Sequence, residues 1–142
     1  MSRGVDVNTV SEDGRWSGLT LAADRNKSEL LEILLSHPDI KINNTATSYG
    51  PGGLGNWFPA FGENSQWTPL MFACDGYKHY IATKLVRVPG LDINYQDEYG
   101  YTAVQLSCIY GDTHSLRILA ETGKVDWNRG DIGLANIPLF ED

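Results

Sequence analysis

A four-residue pattern of apolar, polar, apolar and asparagine recurs along the chain and constrains its fold more than any other feature. The asparagines that end the four copies are Asn8, Asn43, Asn94 and Asn128. Successive copies lie 35, 51 and 34 residues apart, so the longest spacing contains one period and an insertion. The chain is therefore predicted to be built from similar units that follow one another.

Each unit also carries the signals of two short helices. Ser17, Thr68 and Thr102 stand where a helix is expected to begin, and their hydroxyls can accept hydrogen bonds from the free amides of a first turn. Small residues follow them, which lets short helices pack closely. After a break at Asn or Gly comes an amphipathic segment with apolar residues at helical spacing, and Pro or Gly ends it. Each unit is predicted to be a helix, a turn, a second helix and an extended turn.

The stretch from Thr68 to Ala73 reads Thr-Pro-Leu-Met-Phe-Ala and is similar to the Thr-Pro-Leu-His-x-Ala motif of the ankyrin repeat family, whose unit has about 33 residues. The stretches after Ser17 and Thr102 lack the Pro and the His, and Lys84 stands where the family usually has an apolar residue. The resemblance implies an all-α fold, an ankyrin-repeat solenoid of stacked helix-turn-helix units joined by β-hairpin-like fingers. It implies three complete repeats, partial flanking repeats and one long finger insertion.

The 142 residues are predicted to form a single ankyrin repeat domain, since a chain of this length can bury a core of its own. Its predicted segments are the tail of a preceding repeat at 1–10, a repeat at 11–43, an inserted finger loop at 44–62, repeats at 63–94 and 95–128, and a partial terminal repeat at 129–142.

The charge and cysteine content bear on partners and on the compartment. There are 18 acidic and 11 basic residues, a formal net charge of -7, so the basic surface that nucleic acids and anionic membranes require is not expected. No apolar run approaches the ~20 residues of a membrane span. The only cysteines are Cys74 and Cys108, which are expected to be reduced and buried. A cytoplasmic or nuclear monomer is predicted.

Residues with catalytic chemistry are scattered along the sequence. His37, His79 and His114 fall in three different units, without metal-ligand or nucleophile spacing between them. The glycine-rich run Gly50–Gly55 lacks the Lys-Ser/Thr of a phosphate-binding loop and is predicted to be a flexible loop. The chain is therefore predicted not to be an enzyme, with no catalytic residue, no metal site and no cofactor.

Aromatic residues stand at one equivalent position in three units, directly before each helix cap. These residues, here called the aromatic row, are Trp16, Trp67 and Tyr101. Large amphipathic rings are frequent binding anchors, and the ankyrin resemblance implies that turn tips and first helices form a concave binding face. The predicted partner-binding residues are those of the aromatic row, Tyr99, Ile109 and Tyr110, and Trp57, Phe58 and Phe61 of the insertion. The other interpretation is that these rings pack against neighbouring fingers or the insertion.

The function predicted from these features is non-catalytic binding of a protein or peptide through the concave face and the aromatic insertion. Acidic residues around the aromatic row favour a basic, partly apolar partner. The alternative is a structural spacer of a larger multidomain ankyrin protein with no partner of its own. The resemblance also implies possible hydroxylation of Asn94, whereas its structural interpretation is a side chain that bridges turn amides of neighbouring units.

Overall fold

The structure is a computed structural model that describes residues 6–48 and 65–129. The described elements are α1 (Gly18–Asp24), α2 (Ser28–Leu35), β1 (Ala46–Ser48), β2 (Ser65–Trp67), α3 (Pro69–Ala73), α4 (His79–Val86), α5 (Ala103–Tyr110) and α6 (Thr113–Glu121). They occur as three helical hairpins, α1 with α2, α3 with α4, and α5 with α6. We call the stretches that lead into α1, α3 and α5 the fingers.

The first helix of each hairpin begins at the predicted cap. Ser17, Thr68 and Thr102 each accept, through the side-chain hydroxyl, a hydrogen bond from the backbone amide three residues later. Pro69 occupies the first turn of α3, where the missing N–H leaves no hydrogen bond unmade. The prediction of these three helix starts is confirmed.

The hairpins pack side by side around a common core. α3 lies between α1 and α5, and α4 lies between α2 and α6. The fully buried side chains of the core include Leu31, Leu70, Ile81, Leu85, Leu106 and Leu119. Small residues line the contact between first helices, where Ala22, Ala23 and Ala73 have no exposed surface. Such residues allow helix axes to approach to about 8 to 10 Å.

The predicted fold class, an all-α ankyrin-repeat solenoid, is wrong. Strands β1 and β2 form an antiparallel sheet, so the described chain is mixed α and β, and a solenoid of three complete ankyrin repeats is not shown. Residues 46–48, predicted to belong to an inserted loop, pair with 65–67 in the register Ala46–Trp67, Thr47–Gln66 and Ser48–Ser65. Each strand has buried outer residues around a half-buried middle one. Strands this short leave no periodic signal in the sequence, and their pairing spans the insertion.

The recurring asparagines join consecutive units. Asn43 donates from Nδ2 to the Gly90 carbonyl oxygen at 2.9 Å and accepts at Oδ1 from the Asp92 amide at 2.8 Å. The same pair of hydrogen bonds is made by Asn8 with Asp39 and Lys41, and by Asn94 with Lys124 and Asp126. The prediction that these side chains bridge neighbouring turns is confirmed for Asn8, Asn43 and Asn94.

Candidate functional site

The aromatic row does not form an exposed line of rings. Trp67 is 1% exposed and Tyr101 is 2% exposed, whereas Trp16 is 46% exposed. The prediction that all three rings present themselves to a partner is therefore wrong for Trp67 and Tyr101. These two rings follow the other interpretation and are part of the packing between fingers.

A buried carboxylate explains why Trp67 is enclosed. Trp67 donates from Nε1 to Asp97 Oδ2 at 3.0 Å, and its ring meets Phe72 edge-on with centroids 5.4 Å apart. Asp97 Oδ1 also accepts from the backbone amides of Tyr99 and Tyr101 at 2.9 Å each. The Asp97 side chain thus accepts hydrogen bonds from the backbone of its own finger and from the indole of the preceding finger.

The finger that follows Trp16 has no carboxylate at the position of Asp97. Asp97 stands three positions after Asn94, and the residue three positions after Asn43 is Ala46. A methyl group cannot accept a hydrogen bond from an indole N–H. Trp16 is consequently the residue of the row that remains available at the surface.

The other predicted residues lie at two ends of the molecule. Tyr99 is on the third finger and is 37% exposed. Ile109 and Tyr110 are half-buried in the last turn of α5, and this helix of eight residues spans about 12 Å from the finger. Both residues therefore lie on the first helix of the third hairpin, at the end opposite to the finger. Trp57, Phe58 and Phe61 lie outside the described residues.

The turns between the helices of the second and third hairpins hold a cluster that was not predicted from the sequence. We call it the turn cluster; its members are Tyr77, His79, Tyr110 and His114, with the carboxylates of Asp75 and Asp112. Two of its rings are exposed, that of Tyr77, with 56% of the residue surface accessible, and that of His114. The cluster joins the second hairpin to the third.

The backbone of Tyr77 has an unusual conformation. Its φ is 68°, in the left-handed region that L-residues with a side chain disfavour. The equivalent residues before α2 and α6 are Asn26, with φ 59°, and Gly111, with φ 64°. Asn and Gly are the residues that tolerate this region best. A large aromatic residue therefore stands where the local geometry favours a small or amide side chain.

Two hydrogen bonds hold the tyrosines of the cluster together. The Tyr77 hydroxyl donates to the backbone oxygen of Tyr110 at 2.8 Å, and the two rings meet edge-on with centroids 6.2 Å apart. The Tyr110 hydroxyl is hydrogen-bonded to the Asp75 side chain. Burial and the neighbouring Asp75 carboxylate raise the pKa of Tyr110 above its ordinary value. Tyr110 is therefore a neutral donor at physiological pH.

The histidines that seemed isolated in the sequence form a pair. The rings of His79 and His114 lie with centroids 4.3 Å apart and an angle of 32° between their planes. His79 Nε2 is 2.8 Å from Oδ1 of the buried Asp112, which also accepts from the amide and the hydroxyl of Ser115. Burial alone would raise the pKa of Asp112, but the hydrogen bonds from Ser115 and His79 outweigh it and lower that pKa.

Charged groups border the cluster on the side of the first hairpin. Lys78 Nζ donates to the Phe72 carbonyl oxygen at 2.9 Å and lies 3.5 Å from Asp24 Oδ1. The Asp24 side chain is 45% exposed, so its carboxylate remains accessible beside the rings. The arrangement offers an aromatic surface with carboxylates at its border.

The two cysteines differ in exposure. Burial raises the pKa of the Cys74 thiol to about 12, whereas Cys108, predicted to be buried, is exposed because it lies on the outer face of the last described hairpin. Within residues 6–48 and 65–129, no group of three or more His, Cys, Asp or Glu side chains is placed to hold a metal ion. No described helix is long and apolar enough to cross a membrane.

The turn cluster left a signal in the sequence that a comparison of the units could have found. Asn26, Tyr77 and Gly111 share one position, and Tyr is the exception among them. His79 and His114 are 35 residues apart, one period, so packing of consecutive units brings them together. No family model matches this sequence and no curated protein matches it, so the ankyrin resemblance stays a prediction.

Proposed function

We propose that this chain is a non-catalytic protein-protein interaction module that binds a protein or peptide partner at the turn cluster. The observation that carries the proposal is Tyr77, an exposed ring held on a disfavoured backbone conformation. Observed backbone strain is frequent at binding and functional sites, where other requirements override local preference.

The free-energy contributions at Tyr77 favour a role in binding a partner over a role in stabilising the fold. A left-handed conformation costs an L-residue roughly 1–2 kcal/mol, and one hydrogen bond contributes about 0.5–1.5 kcal/mol, so the hydroxyl contact only offsets the strain. Asn26 and Gly111 make the equivalent turns without that cost. The Tyr77 ring also meets Tyr110 and His79 edge-on, but more than half of its surface stays exposed, and an exposed ring is a suitable anchor for a partner.

The partner that fits is basic and partly apolar. The rings of Tyr77 and Tyr110 offer apolar surface and a π face for a cation, and the carboxylate of Asp24 lies beside them. The net charge of -7 would speed the encounter with a positively charged ligand. The proposal assigns the chain to the cytoplasm or nucleus, where an exposed thiol such as Cys108 stays reduced.

Affinity capture with the 142-residue chain as bait tests the proposal. Tyr77→Asn keeps a residue that tolerates the left-handed turn, so it removes the ring without disturbing the fold. Tyr80→Asn is the matched control, because Tyr80 is 49% exposed on α4 outside the cluster. We expect a captured protein to be lost with Tyr77→Asn and retained with Tyr80→Asn. If the unchanged chain, Tyr77→Asn and Tyr80→Asn capture the same proteins, the result favours the spacer function and contradicts the proposal.

A separate variant tests the prediction that the insertion binds the partner. A chain lacking Tyr49–Phe61 removes Trp57, Phe58 and Phe61 together. Loss of the partner at unchanged melting temperature would assign binding to the insertion. A retained partner with a lower melting temperature would assign these rings to packing and leave the turn cluster as the binding site.

A further inference from the structure

The first hairpin carries a groove on the face that points away from the second hairpin. This edge groove has a volume of about 480 Å³ and is lined by Leu21 and Leu30 from the two helices and by the turn residues 25–29. Leu30 is 37% exposed and Leu21 is half-buried. The groove is separate from the turn cluster, which lies between the second and third hairpins.

The two leucine positions that line the edge groove are buried in the other two hairpins. The fourth residue after the first cap is Leu21 in the first hairpin, and its equivalents Phe72 and Leu106 are 6% and 0% exposed. The third residue after the N-cap of the second helix is Leu30, and its equivalents Ile81 and Ser115 are each 0% exposed. In both cases a preceding hairpin provides the cover, since α1 packs on α3 and α2 on α4.

A comparison of the first and second hairpins also indicates which charge a docked helix would carry. Lys78 and Lys27 are the N-cap residues of α4 and α2. Lys78 Nζ lies 3.5 Å from Asp24 Oδ1, at the end of the helix that covers its hairpin. Lys27 occupies the corresponding place at the edge groove, with Arg25 on the same rim. A carboxylate at the end of a docked helix would therefore find a cation there.

We propose that the edge groove binds an amphipathic α-helix that carries two consecutive small residues followed by an acidic residue. This is the arrangement of Ala22, Ala23 and Asp24 in α1, which covers the second hairpin in that way. A helix docked there would continue the contacts that α1 makes with α3 and α2 makes with α4. The small residues permit close approach of the helix axes, and the acidic residue pairs with Lys27.

The test uses a hydrocarbon-stapled, fluorescent peptide with the sequence of residues 17–26, because an unconstrained helix this short is not stable. Its binding to the 142-residue chain is followed by fluorescence anisotropy. We expect saturable binding that Leu30→Asp weakens about tenfold, since it buries a charge in place of an apolar contact. Ile33→Asp is the control, because Ile33 is 65% exposed on α2 and does not line the groove.

A charge exchange tests the partner chemistry. Lys27→Glu in the chain should weaken binding of the peptide about threefold, the scale of an exposed ion pair, and a peptide with Asp24→Lys should restore it. Three results would each overturn the inference. The peptide could fail to bind saturably, Leu30→Asp and Ile33→Asp could weaken binding equally, or the exchanged charges could fail to restore binding. Sedimentation that shows Leu30-dependent dimers of the chain alone would also overturn it, by making the occupant a second copy. None of these results depends on Tyr77.

Discussion

The two ends of the first helices use aromatic residues in opposite ways. At the finger end, Trp67 and Tyr101 are buried, and the carboxylate of Asp97 holds the indole and two backbone amides. At the turn end, Tyr77 is exposed on a left-handed backbone, and its hydroxyl donates a hydrogen bond across to Tyr110 of the third hairpin.

The difference shows that residue type and position in the unit do not decide whether an aromatic ring is buried or exposed. The neighbouring unit decides it. Where the next finger offers a buried acceptor, as Asp97 does for Trp67, the ring is enclosed; the position of Asp97 is taken by Ala46 in the finger after Trp16, and Trp16 is 46% exposed.

Trp67→Ala should lower the free energy of unfolding by about 3–5 kcal/mol, because it leaves a large cavity and removes the donor to Asp97. Trp16→Ala, at the equivalent position, should lower it by less than ~1 kcal/mol, since nearly half of Trp16 is exposed. Urea unfolding followed by circular dichroism measures both. Equal losses for the two variants would mean that the fingers do not differ as described.

Asn94→Ala should lower the free energy of unfolding by about 1–2 kcal/mol. It removes the hydrogen bonds to the Lys124 carbonyl oxygen and from the Asp126 amide, which join the third hairpin to the residues that follow it. Asn44→Ala, at an exposed residue beside another bridging asparagine, is the control and should change little. A chain that tolerates both substitutions equally would show that the asparagine bridges are not stabilising.

Asp112 should make the turn end sensitive to acid. Its pKa is lowered in the folded chain, so its contribution to stability is full above the ordinary value of 3.8 and is lost as the pH falls from there through the folded value. Unfolding measured at several pH values should show a smaller loss below pH 3.8 in Asp112→Asn than in the unchanged chain. The same acid dependence in both chains would remove Asp112 as its source.

Tyr77→Asn should have the smallest effect on stability, a change of less than ~1 kcal/mol in either direction, because relief of backbone strain offsets the lost hydrogen bond. Thermal unfolding of this variant beside Tyr80→Asn measures it. A loss of several kcal/mol would assign Tyr77 to cohesion and remove the contrast between the two ends.

Local rules were sufficient for the helices and their connections. Capping by Ser17, Thr68 and Thr102 depends on neighbouring residues, and the asparagine bridges depend on a period that the sequence displays, so both were predictable. The strands β1 and β2 were not, because three residues give no periodicity and their pairing crosses the insertion. The burial of Trp67 and the His79–His114 pair depend on single side chains contributed by a neighbouring unit, which a pattern within one unit cannot show.

The most direct test of the central claim is photocrosslinking with p-benzoylphenylalanine in place of Tyr77, Trp16 or Tyr80, one at a time, followed by identification of the captured protein. Tyr77 reports on the turn end, Trp16 on the finger end, and Tyr80 on an exposed helix face outside both. We expect one dominant adduct at position 77 and none at position 80. A protein crosslinked at position 16 but not at position 77 would contradict it.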